Sequence, residues 1–156
     1  MQGRMKQHQL TADEIAELLS SEQVGRLATL DPDGTPYVVP VHFVYHGGKI
    51  YIHGLIKGQK IANILATPHV CFEVDRMYGL VMAEEPCDVN TAYRSVVIKG
   101  EARLVEDTRR KIEVLGLVVA KYAPALSGRE FPARMLGATS VIEIDVLECT
   151  GKYFKG

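Results

Sequence analysis

The residues best suited to chemistry in this chain lie within one stretch, Thr35–Lys60, TPYVVPVHFVYHGGKIYIHGLIKGQK. It holds three histidines, His42, His46 and His53, and a glycine flanked by lysines. Gly47-Gly48 separates two alternating apolar runs, Tyr37–His46 and Lys49–Gly54, the pattern of a hairpin with positive φ at both turn positions. A two-residue loop pairs Tyr45 with Ile50, Phe43 with Ile52 and His42 with His53. Directly opposed side chains share one face, with Cβ atoms about 4.5–5.5 Å apart. Two imidazoles so placed would carry a proton near neutral pH, or contribute to a metal site for which the spacing places no third ligand. The spacing equally suits a strand histidine satisfied by a neighbour.

After the hairpin, Lys57-Gly58-Gln59-Lys60 precedes IANILA, whose Ile61, Ile64 and Leu65 have helical spacing. Free N–H groups at a helix start, a glycine that admits close approach, and two cations together make an anion site suited to a phosphate. A loop glycine with solvated lysines has the same spelling. Pro40 lies inside the first hairpin strand. It cannot donate to a ladder, so it marks an edge or a bulge. The backbone groups of Val39 and Val41 would then be open to a planar ligand, or the strand is simply an edge.

The surrounding elements follow from pattern. Thr11 and Glu14 have capping-box spacing and begin a helix with Ile15, Leu18 and Leu19, ending near Ser20-Ser21. Val24–Leu30 reads as a strand, and Asp31-Pro32-Asp33-Gly34 as a turn. Thr67-Pro68 stops the central helix. Val70–Val74 is a strand, with an extension to Met77 left open, and Tyr78–Asn90 is a loop or irregular edge. Ala92–Val105 is a long strand with a bend or bulge at Gly100. Asp107–Tyr122 is a helix presenting Ile112, Leu115 and Val119 on one face. Pro124–Arg134 is loop, and Ser140–Leu147 is the last strand. Six strands in antiparallel hairpins, without a βαβ rhythm, predict a small antiparallel β-barrel decorated with helices.

Composition limits the function classes. The 156 residues suit a single domain, 1–156, with 1–10 expected to be mobile. A formal net charge of −1 argues against nucleic acid. No apolar run is long enough for a membrane helix, and MQGRMKQHQL has no signal-peptide core, so the cytoplasm is expected. Cys71, Cys87 and Cys149 lack metal or redox spacing. No G-x-G-x-x-G dinucleotide fingerprint is present.

The ordered pieces RLATLDPDGTPYVVPVHFVY, GGKIYIHG, GQKIANI, YRSVVIKGEARLV and TSVIEIDVLECTGK resemble the FMN-binding split barrels of the pyridoxamine-5′-phosphate-oxidase-like family. Within that group they resemble the nitroimidazole-reductase branch most. The likeness runs from about Gly25 to Lys152. It implies a six-stranded split barrel and a homodimer with FMN at the subunit interface. It further implies that Val39, Pro40, Val41 and His42 lie along the flavin ring. His53, Gly54 and Leu55 would lie near the ring or ribityl chain, with His53 catalytic. Gly58 and Lys60 would hold the phosphate, and Arg94 and Ser95 would reach the flavin from the partner. The implied activity is electron transfer from a nicotinamide or other donor to a small electron-poor organic acceptor. A flavin or haem carrier, a sensor, or a deazaflavin protein is the alternative. The arginine- and histidine-rich tail that binds substrate in true pyridoxamine-phosphate oxidases has no counterpart in GKYFKG, which speaks against vitamin B6 as substrate.

Overall fold

The computed structural model describes residues 7–155. Helix α1 (Ala12–Ser21) starts at the predicted capping box: Thr11 Oγ1 accepts the Glu14 N–H at 3.3 Å, and Glu14 Oε2 accepts the Thr11 N–H at 2.9 Å. Strands β1 (Val24–Leu30), β2 (Pro36–His46) and β3 (Lys49–Leu55) follow, then helix α2 (Gln59–Ala66). Strands β4 (His69–Val81) and β5 (Asn90–Leu104), helices α3 (Thr108–Tyr122) and α4 (Ala133–Ala138), and strand β6 (Thr139–Phe154) complete the order.

The six strands close in the order β1-β2-β3-β6-β5-β4, every pairing antiparallel. Alternation sends Leu27, Phe43, Ile50, Ile52, Phe72 and Ile98 into the barrel, where each is essentially inaccessible to water. A second apolar cluster lies outside the barrel wall, where Val114 and Leu115 of α3 cover Tyr51 and Val141. The hairpin turn is as predicted, with φ of 58° at Gly47 and 77° at Gly48. A bulge interrupts the β5–β6 register between Lys99 and Gly100, where the bend was expected.

Five expectations need correction. Of segment 1–10, residues 1–6 lie outside the described residues, while His8–Leu10 run beside β6: Tyr153 N–H donates to the His8 carbonyl and Leu10 N–H to that of Gly151. Leu10 is buried. Strand β4 continues to Val81, because Gly79–Val81 find partners in Asn90–Ala92, so only 82–89 is loop. Helix α3 buries Val114, Leu115 and Val118 instead of an Ile112 face, and Ile112 is exposed. The segment Pro124–Arg134 contains a short 3-10 turn and runs into α4, and β6 extends well past Leu147.

Candidate functional site: the open edge of β2

Strand β2 changes partner at Phe43. Residues Phe43–His46 pair with β3, and Pro36–His42 pair with β1. The rung between His42 and His53 that the hairpin register predicts is not formed; the β2–β3 ladder ends one step short, at Phe43–Ile52. His53 is instead held from its other side by Val141 of β6.

The direction of the free backbone groups follows from alternation. In an antiparallel strand the N–H and C=O of one residue point to the same neighbour, and successive residues alternate. Asp31 N–H donates to the Thr35 carbonyl at 2.9 Å, so the odd-numbered residues of β2 turn their groups toward β1. The even-numbered ones, Pro36, Val38, Pro40 and His42, face the gap left by β3. Both prolines of the strand therefore stand where an N–H would have no ladder partner. This corrects the expectation for Val39 and Val41, whose backbone groups are engaged by β1. The donors available at the open edge are the Val38 and His42 N–H groups.

The remaining residues of the loop and helix gather at the same end of β3. Gly58 caps α2 with φ 140° and ψ 169°, a conformation essentially restricted to glycine, and nothing lies within 4 Å of the Cβ it lacks. Lys60, in the first turn of α2, reaches back over Gly54, its Nζ 3.3 Å from where a Gly54 Cβ would be. Leu55 is 74% exposed and Val38 57% exposed. Ser140 holds the end of β3 through a 2.8 Å hydrogen bond from its hydroxyl to the Leu55 carbonyl.

Helix α2 is anchored by a residue that the hydrophobic pattern overlooks. Asn63 is fully buried. Its Nδ2 donates to Thr29 Oγ1 at 3.0 Å and to Asp31 Oδ1 at 2.7 Å, and its Oδ1 accepts from Gln59 Nε2 at 2.9 Å. The Gln59–Asn63 spacing of i, i+4 was a readable signal for this pair. Tyr122, at the end of α3, is a second overlooked residue: its ring stacks on His42 at 4.4 Å between centroids and 16° between planes. Beside it, Lys121 Nζ lies 3.9 Å from the Phe43 ring centroid and 3.3 Å from the Leu19 carbonyl, and burial lowers its pKa to about 8.

His53 is half-buried and its Nδ1 is buried without a hydrogen-bond partner. Burial first, then the positive fields of His42 and Lys60, push its pKa below the ordinary histidine value. The imidazole is thus held neutral beside a cation, with one ring nitrogen free to receive a ligand's hydrogen bond. Among the described residues no group of three or more His, Cys, Asp or Glu side chains is arranged to hold a metal ion.

Arg94 and Ser95 do not join this cluster within the chain. They lie on β5, whose ladder partners are β4 and β6. Arg94 pairs with Glu17 at 3.1 Å and Glu14 at 3.5 Å, both on α1, and Ser95 Oγ is buried and unpartnered.

The sequence model of the pyridoxamine 5′-phosphate oxidase family matches residues 11–153. The chain belongs to that family. Solved structures share the pyridoxamine 5′-phosphate oxidase fold over most of their length. A candidate 5-nitroimidazole antibiotic resistance protein from Bacteroides thetaiotaomicron aligns with a TM-score of 0.80 at 21% identity, over 92% of this chain and 85% of its own. The flavocytochrome Anf3 from Azotobacter vinelandii aligns with a TM-score of 0.88 at 24% identity, over 100% and 73%. An FAD- and heme-binding protein from Mycobacterium smegmatis aligns with a TM-score of 0.88 at 19% identity, over 96% and 74%. At these identities the likeness shows the fold. No curated protein matches the chain. Among the described residues no helix is long and apolar enough to cross a membrane.

Proposed function

We propose that this member of the pyridoxamine 5′-phosphate oxidase family is an FMN-dependent oxidoreductase of the nitroimidazole-reductase type, working as a cytoplasmic homodimer with FMN at the subunit interface. The observation that carries the reading is the open edge of β2 at the end of β3 that leads directly into the glycine-capped start of α2. A planar ring with a phosphate tail needs both features, one for each end. The residues fit on the structure's own terms. Gly58 leaves open space where a side chain would stand, Lys60 brings a cation, and the first N–H groups of α2 have no partner within the helix. The buried, unpartnered Nδ1 of His53 awaits a polar group.

In this reading Gly58, Lys60 and the first turn of α2 hold the phosphate. The Val38 and His42 N–H groups meet the ring edge along Val39-Pro40-Val41, and Gly54 and Leu55 border the ribityl chain. A bound flavin supplies the electron transfer, from a nicotinamide or other donor to a small electron-poor organic acceptor. His53, whose protonated form is disfavoured, accepts a hydrogen bond through Nδ1 from an N–H or O–H of the bound molecule and so orients it. Arg94 and Ser95 complete the site from the partner subunit. Three free thiols suit a reducing compartment.

A second reading rests on the His42–His53 pair: an uncatalytic carrier or sensor whose imidazoles meet haem iron. The absorption spectrum of the purified protein separates the two, since FMN and haem absorb differently. Reoxidation of the reduced protein by a nitroaromatic, faster than free FMN allows, supports turnover. Lys60→Glu is expected to weaken FMN binding at least tenfold by placing an anion against the phosphate; unchanged affinity would remove Lys60 from the site.

A further inference from the structure

Phe43 is the residue at which β2 leaves β3 for β1, and its backbone groups point toward β1. The next hydrogen-bonded rung in the β1 register, beyond Val24–His42, would join Gln23 to Phe43, but the paired ladder stops before it. The Tyr122 hydroxyl occupies that rung. It accepts the Phe43 N–H at 2.9 Å and lies 2.8 Å from the Phe43 carbonyl and 2.7 Å from the Gln23 carbonyl, which share its single proton. The ring that carries this hydroxyl stacks on His42, the residue immediately before the fork.

We infer that Tyr122 is the positioning residue of the open edge: its hydroxyl pegs the fork at Phe43, and its ring sets the His42 imidazole beside His53. The alternative partner for the His42 and His53 backbone is each other, since theirs would be the next rung of the β2–β3 ladder. Pegging Phe43 to β1 works against that closure and keeps the edge available. Burial raises the Tyr122 pKa, so the hydroxyl keeps its proton at neutral pH and remains a donor. The groups that bear on His53 are His42 from β2 and Lys60 from α2, while Val141 is its ladder partner on β6. A change in where His42 stands is therefore read directly in His53.

The inference rests on His42 and His53 being the site, but its test uses the chain without added ligand, so it is decided independently of FMN binding. Tyr122→Phe removes only the hydroxyl. It should speed hydrogen exchange at the Phe43 amide about tenfold and leave the stack intact. Tyr122→Leu removes the ring. It should abolish the ring-current shift of the His42 imidazole protons and move the His53 titration upward as His42 is released. Phe43 exchange unchanged in Tyr122→Phe overturns the peg. His42 and His53 signals unchanged in Tyr122→Leu overturn the placement of the imidazole. The unsubstituted protein supplies a check that needs no variant: a His42 imidazole without a ring-current shift overturns the stack.

Discussion

The His53 imidazole is surrounded by conditions that disfavour its positive form: a half-buried ring, a second imidazole and the Lys60 ammonium. Its folded pKa therefore lies below the value of about 6.5 that the unfolded chain would show. Between those two values the unfolded chain binds the extra proton and the folded chain does not. The stability that comes from keeping His53 neutral is present in full above the unfolded pKa and is lost as the pH falls through this window. His53→Gln, which keeps a polar side chain that does not titrate, should lose less stability between about pH 7.5 and about pH 5 than the parent does. Denaturant midpoints at the two pH values measure the difference; equal losses would mean that the ring is not held neutral by the fold. Asn63 is the other residue whose chemistry is decided by burial. Asn63→Ala removes three hydrogen bonds and leaves the Thr29 hydroxyl without its amide partner. It should destabilise the chain by about 2 kcal/mol, read by equilibrium unfolding. A neutral result would show that α2 is held without the Asn63 amide, by Ile61, Ile64 and the Gln59–Asp31 hydrogen bond.

At the level of elements, the working parts are one strand with two partners and one short helix clamped to the strand beside it. Much of this was legible in the order of residues. Gly47-Gly48 specified the hairpin, Pro40 declared an edge, and Thr11 with Glu14 placed the start of α1, because each signal is local and has few competing conformations. The partner change at Phe43 was not legible. It depends on where β1 and β3 run relative to β2, and alternation within β2 is the same whichever strand it joins. For that reason the histidines were expected to share a rung, and the open-edge donors were assigned to Val39 and Val41 instead of Val38 and His42. The buried face of α3 is not encoded in its pattern: VLGLVVA is apolar nearly all round, so its phase is decided by packing on Tyr51 and Val141. The strand character of Gly79–Val81 comes from pairing with Asn90–Ala92 across the loop 82–89, past a bulge at Tyr78, and no local pattern marks it. Tyr122 carried no sequence signal beyond being the last residue of a helix.

For the whole molecule, the barrel wall leaves apolar residues facing outward. Leu30, Val38, Leu55 and Ile56 are all exposed, and several border the open edge. A two-fold interface would cover such a surface, and in the proposed dimer Arg94 and Ser95, which a single chain leaves remote, serve the partner's site. Sedimentation at micromolar concentration should therefore give a dimer; a monomer would remove both the interface and the partner's share of the site. FMN binding at the open edge is measured most directly by titration of the flavin-free protein with FMN, followed by flavin fluorescence or absorption. Saturation is expected at one FMN per chain with a Kd of about 1 μM or tighter. A chain that is folded and dimeric yet leaves FMN free at about 100 μM would contradict it, and the open edge of β2 would need a different occupant.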